Sequence, residues 1–230
     1  MAVAGIFLAG TDTDVGKTWV ATAILRSLES AGFQVAAYKP VASGFASAAD
    51  EPSDAWRLWD AAGRRWKPED VCPQSFAAPI APPSSARAEG RQVDEELLRS
   101  GFAACRSRGD VVVVEAAGGL FSPVSDQTLV VDLAKEFALP VVLVDAARLG
   151  AIGRSLAAIC AARAEGLRVA AVVLSHTTRP DDDVGPTASR TIAREAAAEI
   201  TRRTGVPVAI LDHGVERMPP GIDWAALATG

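Results

Sequence analysis

The residues of this 230-residue chain best suited to chemistry lie in three short runs that carry lysines, carboxylates and glycines. The first is Gly10-Thr11-Asp12-Thr13-Asp14-Val15-Gly16-Lys17-Thr18, which follows an apolar strand and opens a helix. A helix start presents unpaired backbone N–H groups and the positive end of the helix dipole, so phosphate oxygens dock there. Gly16 lets the backbone approach them, Lys17 can neutralise β- and γ-phosphate charge, and the Thr18 hydroxyl can ligate Mg²⁺. Asp14, Val15 and Gly16 are the adjoining nucleotide-binding candidates. The general P-loop pattern has four residues between its glycines; here Gly10 and Gly16 enclose five.

The second run is Tyr38-Lys39-Pro40-Val41-Ala42-Ser43-Gly44 at the end of a predicted strand. In an open parallel sheet the carboxyl ends of strands line the ligand crevice, which brings Lys39 and Ser43 near the phosphate loop. Lys39 there could hold charge developing on a transferring phosphoryl group, or it could be a surface lysine at a strand end. The third run begins with Glu115, directly after Val111-Val112-Val113-Val114 and before Ala116-Ala117-Gly118-Gly119. A carboxylate in that position is the usual acidic partner of a P-loop, holding Mg²⁺, and it would be costly there without a cation. Gly118 and Gly119 either let a substrate approach the backbone or permit a tight turn. Asp54 is a possible further metal ligand, although Ser53 or Asp54 could equally cap the helix that starts there.

The elements that must position these groups recur in order. Strand-like runs cover Val3–Ala9, Val35–Tyr38, Val111–Glu115, Val141–Asp145, Val169–Leu174 and Val208–Leu211. Most lack polar alternation, as expected of parallel strands covered on both faces. Helical patterns cover Lys17–Ala31, Asp54–Ala62, Asp94–Arg108, Leu129–Phe137, Ile152–Ala164 and Ser189–Thr204, with a short capping helix at Asp223–Ala228. This alternation predicts one α/β domain over residues 1–230, a three-layer fold with a mostly parallel central sheet and helices on both faces. The Pro-rich stretch Pro79 to Pro83, with Ser84-Ser85, reads as an ordered loop.

Composition narrows the function classes. Net charge is −5 and the largest basic grouping is Arg202-Arg203, which argues against nucleic acid as a partner. Hydrophobic residues make up 49%, enough for a core on both sheet faces, yet the longest apolar runs reach only strand length. No membrane span or cleavable leader is expected, and cytoplasmic location follows. Cys72, Cys105 and Cys160 lack metal-ligand or redox spacing and read as reduced, mostly buried thiols. His176 and His213 have no acid partner at recognisable spacing, the Asp181-Asp182-Asp183 run reads as a solvated loop, and Trp56, Trp59 and Trp66 read as packing residues.

Together the loop with its extra residue, Lys39-Pro40-Val41-Ala42-Ser43-Gly44, Ser53-Asp54-Ala55 and Val114-Glu115-Ala116-Ala117-Gly118-Gly119-Leu120-Phe121-Ser122-Pro123 resemble the dethiobiotin synthetase family. Leu139-Pro140-Val141-Val142-Leu143-Val144 and Arg148-Leu149-Gly150 extend the match, which runs in order to about Ala164 and is loose beyond. The resemblance implies an ATP- and Mg²⁺-dependent ligase of biotin synthesis. One amine of 7,8-diaminopelargonate takes up CO₂ as a carbamate, the carbamate attacks the γ-phosphate of ATP, and the second amine closes the mixed anhydride to a cyclic urea. Lys17 and Lys39 would then stabilise phosphoryl transfer, and Ser43 would place the carbamate. Thr13 and Asp14 would face diamine and phosphates, and Thr18, Asp54 and Glu115 would hold Mg²⁺. The resemblance further implies a homodimer with active sites at the interface, in which Gly150, Ala151 and Ile152 lend a helix start to the partner's substrate carboxylate.

Three departures from the family pattern stand out. Ala116-Ala117-Gly118-Gly119 replaces the usual Gly-Ala-Gly-Gly, and Gly153 stands where an asparagine is common. Ser175-His176-Thr177-Thr178 occupies the place of an adenine-reading asparagine, so Ser175 is the nucleotide contact expected there and base selection is expected to be weak. Two rivals share the loop type. Amidotransferase-type ligases add a glutamine-hydrolysing domain for which this length leaves no room. Partitioning-type switch ATPases carry an extra lysine where Thr11-Asp12-Thr13 stands.

Overall fold

The computed structural model describes residues 4–178 and 186–230. Asp181-Asp182-Asp183 and the first residue of the expected strand Val3–Ala9 lie outside the described residues. The chain opens with β1 (Gly5–Gly10), α1 (Lys17–Ser30), β2 (Val35–Tyr38) and the two-residue β3 (Ala42–Ser43). Then follow α2 (Asp54–Ala61), α3 (Pro68–Val71), β4 (Ser75–Phe76), α4 (Pro82–Ala88) and α5 (Glu95–Arg106). The second half holds β5 (Val111–Gly119), α6 (Val130–Phe137), β6 (Val141–Ala146), α7 (Ala151–Ala164), β7 (Val169–Ser175), α8 (Pro186–Thr204), β8 (Val208–Leu211) and α9 (Trp224–Thr229).

Six strands form one sheet in the order β2-β5-β1-β6-β7-β8, and every pairing in it is parallel. The all-apolar strands follow from this, because side chains alternate between two faces and both faces are covered. Ile6 and Leu8 of β1 join the layer that holds α1, α2, α3 and α9, whereas Phe7 and Ala9 join the layer that holds α4 through α8. Phe102 and Phe137 stack in the second layer with centroids 3.9 Å apart. The sheet order turns back at β1, and the crevice beyond the strand carboxyl ends at such a point is where ligands bind in open α/β sheets.

Two expectations need correction, and one pair of strands was not foreseen. The Pro79–Pro83 stretch is not wholly loop, since α4 starts at Pro82. Proline's fixed φ suits the first helical turn, where its missing N–H has no partner to lose. Glu115 is not the last residue of its strand, because β5 continues to Gly119, which pairs with Gly10 after a register shift. Finally, β3 and β4 form a separate two-stranded sheet; two residues are too few to leave a periodic trace in sequence.

Candidate active site

The loop from Thr11 to Gly16 leaves β1 between two neighbouring strands. Its first residue is fixed by a hydrogen bond from the Thr11 N–H to the Val144 carbonyl at 2.9 Å. Asp14 has φ 54° and Gly16 has φ 87°, so the loop doubles back to aim its backbone at the start of α1. Aspartate tolerates this left-handed region. At Gly16 a Cβ would stand 2.6 Å from the Ser175 Oγ, so packing as well as φ requires glycine. Helix α1 has no side-chain cap and no acid in its first turn, which leaves its N–H groups for an anion. The Val15 side chain is buried in the core, leaving its backbone alone for a ligand. The Lys17 ammonium donates to the Asp12 carbonyl at 3.1 Å and is largely buried, which pulls its pKa below the ordinary lysine value.

A second cationic group meets the acids beside it. Lys39 follows β2, where its backbone N–H donates to Val71 O at 2.8 Å. Its buried ammonium lies 2.6 Å from Glu115 Oε1 and 2.9 Å from Asp54 Oδ2. Burial alone would lower the Lys39 pKa, but these two carboxylates outweigh it and hold the pKa above the ordinary lysine value. The Lys39 charge draws the half-exposed Asp54 carboxyl below its ordinary range. Desolvation pushes the fully buried Glu115 up despite Lys39. Glu115 Oε1 also accepts from the Thr18 hydroxyl at 2.9 Å. Its other oxygen, Oε2, is buried without a hydrogen-bond partner. A carboxylate with a spare buried oxygen, a neighbouring hydroxyl and a half-exposed second carboxylate is a donor set that suits a hard divalent cation. The helix cap is Ser53, whose hydroxyl accepts from the Trp56 N–H at 3.1 Å, and the Asp54 side chain faces Lys39 instead.

These groups share a cavity of about 800 Å³, which Thr13, Asp14, Gly16, Lys17, Thr18, Lys39, Ser43, Asp54, Glu115, Gly118 and Ser175 all line. Gly119 faces a second recess of about 580 Å³, between the outer side of the phosphate loop and α7. Gly150, Ala151 and Ile152 start α7 and border neither recess. Ala116, one of the departures, is buried in the core and so does not crowd the cavity. Sequence reasoning missed Trp19, Pro82 and His213 in the wall of the large cavity. It also left His176 without an acid nearby, whereas the buried His176 Nδ1 lies 3.0 Å from Asp212 Oδ1, close but without hydrogen-bond geometry. The two residues follow adjacent parallel strands, and the usable signal was their common place just beyond β7 and β8.

Comparisons with known proteins agree with this geometry. A family model described as an AAA domain matches residues 4–211. The signal recognition particle 54 kDa protein of Aeropyrum pernix, solved with GDP, superposes with a TM-score of 0.53 at 15% identity. It covers 98% of this chain and 45% of its own, so it supports the fold alone. The ATP-dependent dethiobiotin synthetase of Anaeromyxobacter dehalogenans strain 2CP-C is 42% identical over 190 residues, covering 83% of this chain and 84% of its own. That of Rhodopirellula baltica is 39% identical over 215 residues, covering 88% and 81%. At that identity over that span, with the lengthened phosphate loop and both lysines turned into one cavity, the chain belongs to the ATP-dependent dethiobiotin synthetase family.

Proposed function

We propose that this chain closes 7,8-diaminopelargonate and CO₂ to dethiobiotin at the expense of ATP, a cyclo-ligase step of biotin synthesis. The observation that carries this reading is the convergence of Lys17 and Lys39 with Thr18, Asp54 and Glu115 in one cavity. Phosphoryl transfer to a carbamate needs alignment and charge neutralisation rather than a protein nucleophile. Lys17 takes the β- and γ-phosphates, and Lys39 meets the charge that grows as the γ-phosphoryl group leaves for the carbamate oxygen. Ser43 orients the carbamate, Thr13 and Asp14 border diamine and phosphates, and the Gly118 backbone borders the substrate, whereas Gly119 faces the second recess and takes no part. Ser175 and the backbone of Asp14, Val15 and Gly16 serve the nucleotide. Thr18, Asp54 and Glu115 would hold Mg²⁺, which supplies further neutralisation of phosphate charge. The spare buried oxygen of Glu115 supports that assignment.

The working form is a homodimer whose sites lie at the interface. Gly150, Ala151 and Ile152 lend the start of α7 to the carboxylate of the substrate bound by the partner. The second recess and the exposed Leu149 and Phe121 beside this region support that surface as the contact.

Two measurements test the reading. ADP release should require both the diamine and bicarbonate; release at the same rate without diamine would refute it. Lys39→Ala should lose about 10²-fold or more of kcat while its nucleotide Kd stays within about threefold, because its contact strengthens in the transition state. A variant that lost nucleotide binding instead would make Lys39 a ground-state phosphate contact.

A further inference from the structure

Asp145 is a fully buried carboxylate at the end of β6 that the proposed chemistry does not use. Burying such a charge is expensive unless donors surround it, and here four do. Its Oδ1 accepts from the Thr11 hydroxyl at 2.7 Å, from the Ala146 N–H at 2.8 Å and from Arg154 Nε at 3.0 Å. Its Oδ2 accepts from the Ser155 hydroxyl at 3.2 Å. One carboxylate therefore joins the phosphate loop, its own strand end and the first turns of α7.

Arg154 carries the connection further. Its Nη2 donates to the Ala146 carbonyl at 3.3 Å and its Nη1 to the Leu149 carbonyl at 3.4 Å. The guanidinium thus folds back over the bend that leads into α7. Gly150 makes room for it: its φ is +88°, and a Cβ there would stand 2.9 Å from Arg154 Nη1. An apolar filler could hold a bend at less desolvation cost, but it could not fix the bend and Thr11 at once.

We propose that Asp145 and Arg154 are positioning residues that fix, from one buried anchor, the phosphate loop of their own protomer and the α7 start that the protomer lends to its partner's site. The proposal rests on the homodimeric reading above. Its consequence is a division of labour between the two sites of a dimer. The Thr11 arm acts on the site of the same protomer, and the Arg154 arm acts on the site across the interface.

Mixed dimers separate the two arms. In the Arg154→Gln homodimer, KM for the diamine should rise about tenfold or more while kcat and the ATP KM change little. Asp145→Asn should raise the diamine KM and lower kcat together, because it loosens both arms. Pairing an Arg154→Gln subunit with a Lys39→Ala subunit leaves one working site, in which the α7 start comes from the subunit with intact Arg154. There the diamine KM should return to the wild-type value. A KM that stays raised in the mixed dimer, or does not rise in the Arg154→Gln homodimer, would overturn the proposal. Arg154 is 29% exposed, so its replacement should leave the fold intact, and dimer mass and Tm are measured alongside. Arg154→Lys, which keeps the charge facing Asp145, should restore part of the KM defect; lysine performing no better than glutamine would contradict the ion-pair role. A wild-type enzyme that is monomeric at assay concentration would defeat the dimer reading itself, and this inference with it.

Discussion

In the proposed phosphate site, Gly16 is the position where a single side chain would disturb the approach to the helix start. Gly16→Ala would have to hold φ near 87° and place its Cβ against the Ser175 hydroxyl. The backbone strain alone is about 1–2 kcal/mol, and relieving it moves the loop away from the ligand. Titration with a non-hydrolysable ATP analogue should show Kd raised about tenfold or more; an unchanged Kd would mean the loop tolerates the shift. Ser175 makes a second prediction. Its hydroxyl is buried beside the loop rather than offered as an amide pair to a base. A site built around hydrogen bonds to one base rejects others by about 10⁴-fold, and discrimination here should fall below about 10²-fold in kcat/KM for ATP against CTP and GTP. A larger preference for ATP would place a base-reading contact elsewhere in the cavity wall.

Single residues were legible where a motif tied residue type to position. Lys17, Thr18, Lys39, Asp54 and Glu115 were all marked in the sequence, and the fold brings them into one cavity. The pairs His176–Asp212 and Asp145–Arg154 were not. The first meets only because β7 and β8 are neighbours, and the second because a bend folds an arginine back over a strand end.

Elements were read with similar success and similar limits. The six sheet strands and the longer helices follow hydrophobic period and stop signals, and their ends agree to within a few residues. The failures are α3, α4 and the β3–β4 pair, all too short for a period to emerge, and the extension of β5, which depends on Gly119 meeting Gly10 across the sheet. The packing of these elements sets thiol chemistry. Cys72 and Cys105 are buried, Cys105 donating its thiol to the Ala37 carbonyl at 3.2 Å, whereas Cys160 is exposed on α7. Burial pushes both buried thiols up to about 12. At pH 8 a thiol reagent should therefore titrate one cysteine in the folded protein and all three in urea; rapid reaction of a second would contradict the buried placement. The sign of the pH effect follows. Unfolded thiols ionise near their ordinary value of 9.0, and folded ones hold their protons to about 12, so stability falls as pH rises through that window. Comparing urea midpoints at pH 8 and pH 10, the fall should be smaller in a Cys72→Ala, Cys105→Ala double variant.

For the whole molecule, charge and composition excluded more than they identified. A net charge of −5 gives no general attraction for a polyanion, so under the proposed reading ATP is drawn by local contacts at Lys17 and the open start of α1, the Lys39 charge being met by Asp54 and Glu115. Among the described residues no helix is long and apolar enough to cross a membrane. The fold class was legible in the alternation of strands and helices, whereas the substrate entered only through the family motifs and relatives, because one fold serves many reactions. Light scattering should give a particle of twice 23.9 kDa at micromolar concentration, and a mass of 23.9 kDa would contradict the proposed shared active site. The central claim is the reaction itself. The enzyme is incubated with ATP, Mg²⁺, 7,8-diaminopelargonate and ¹³C-bicarbonate, and the products are resolved by mass. Dethiobiotin carrying the label in its ureido carbonyl, formed with stoichiometric ADP, is the predicted result. ADP without labelled dethiobiotin would leave a phosphate-binding ATPase and contradict the account.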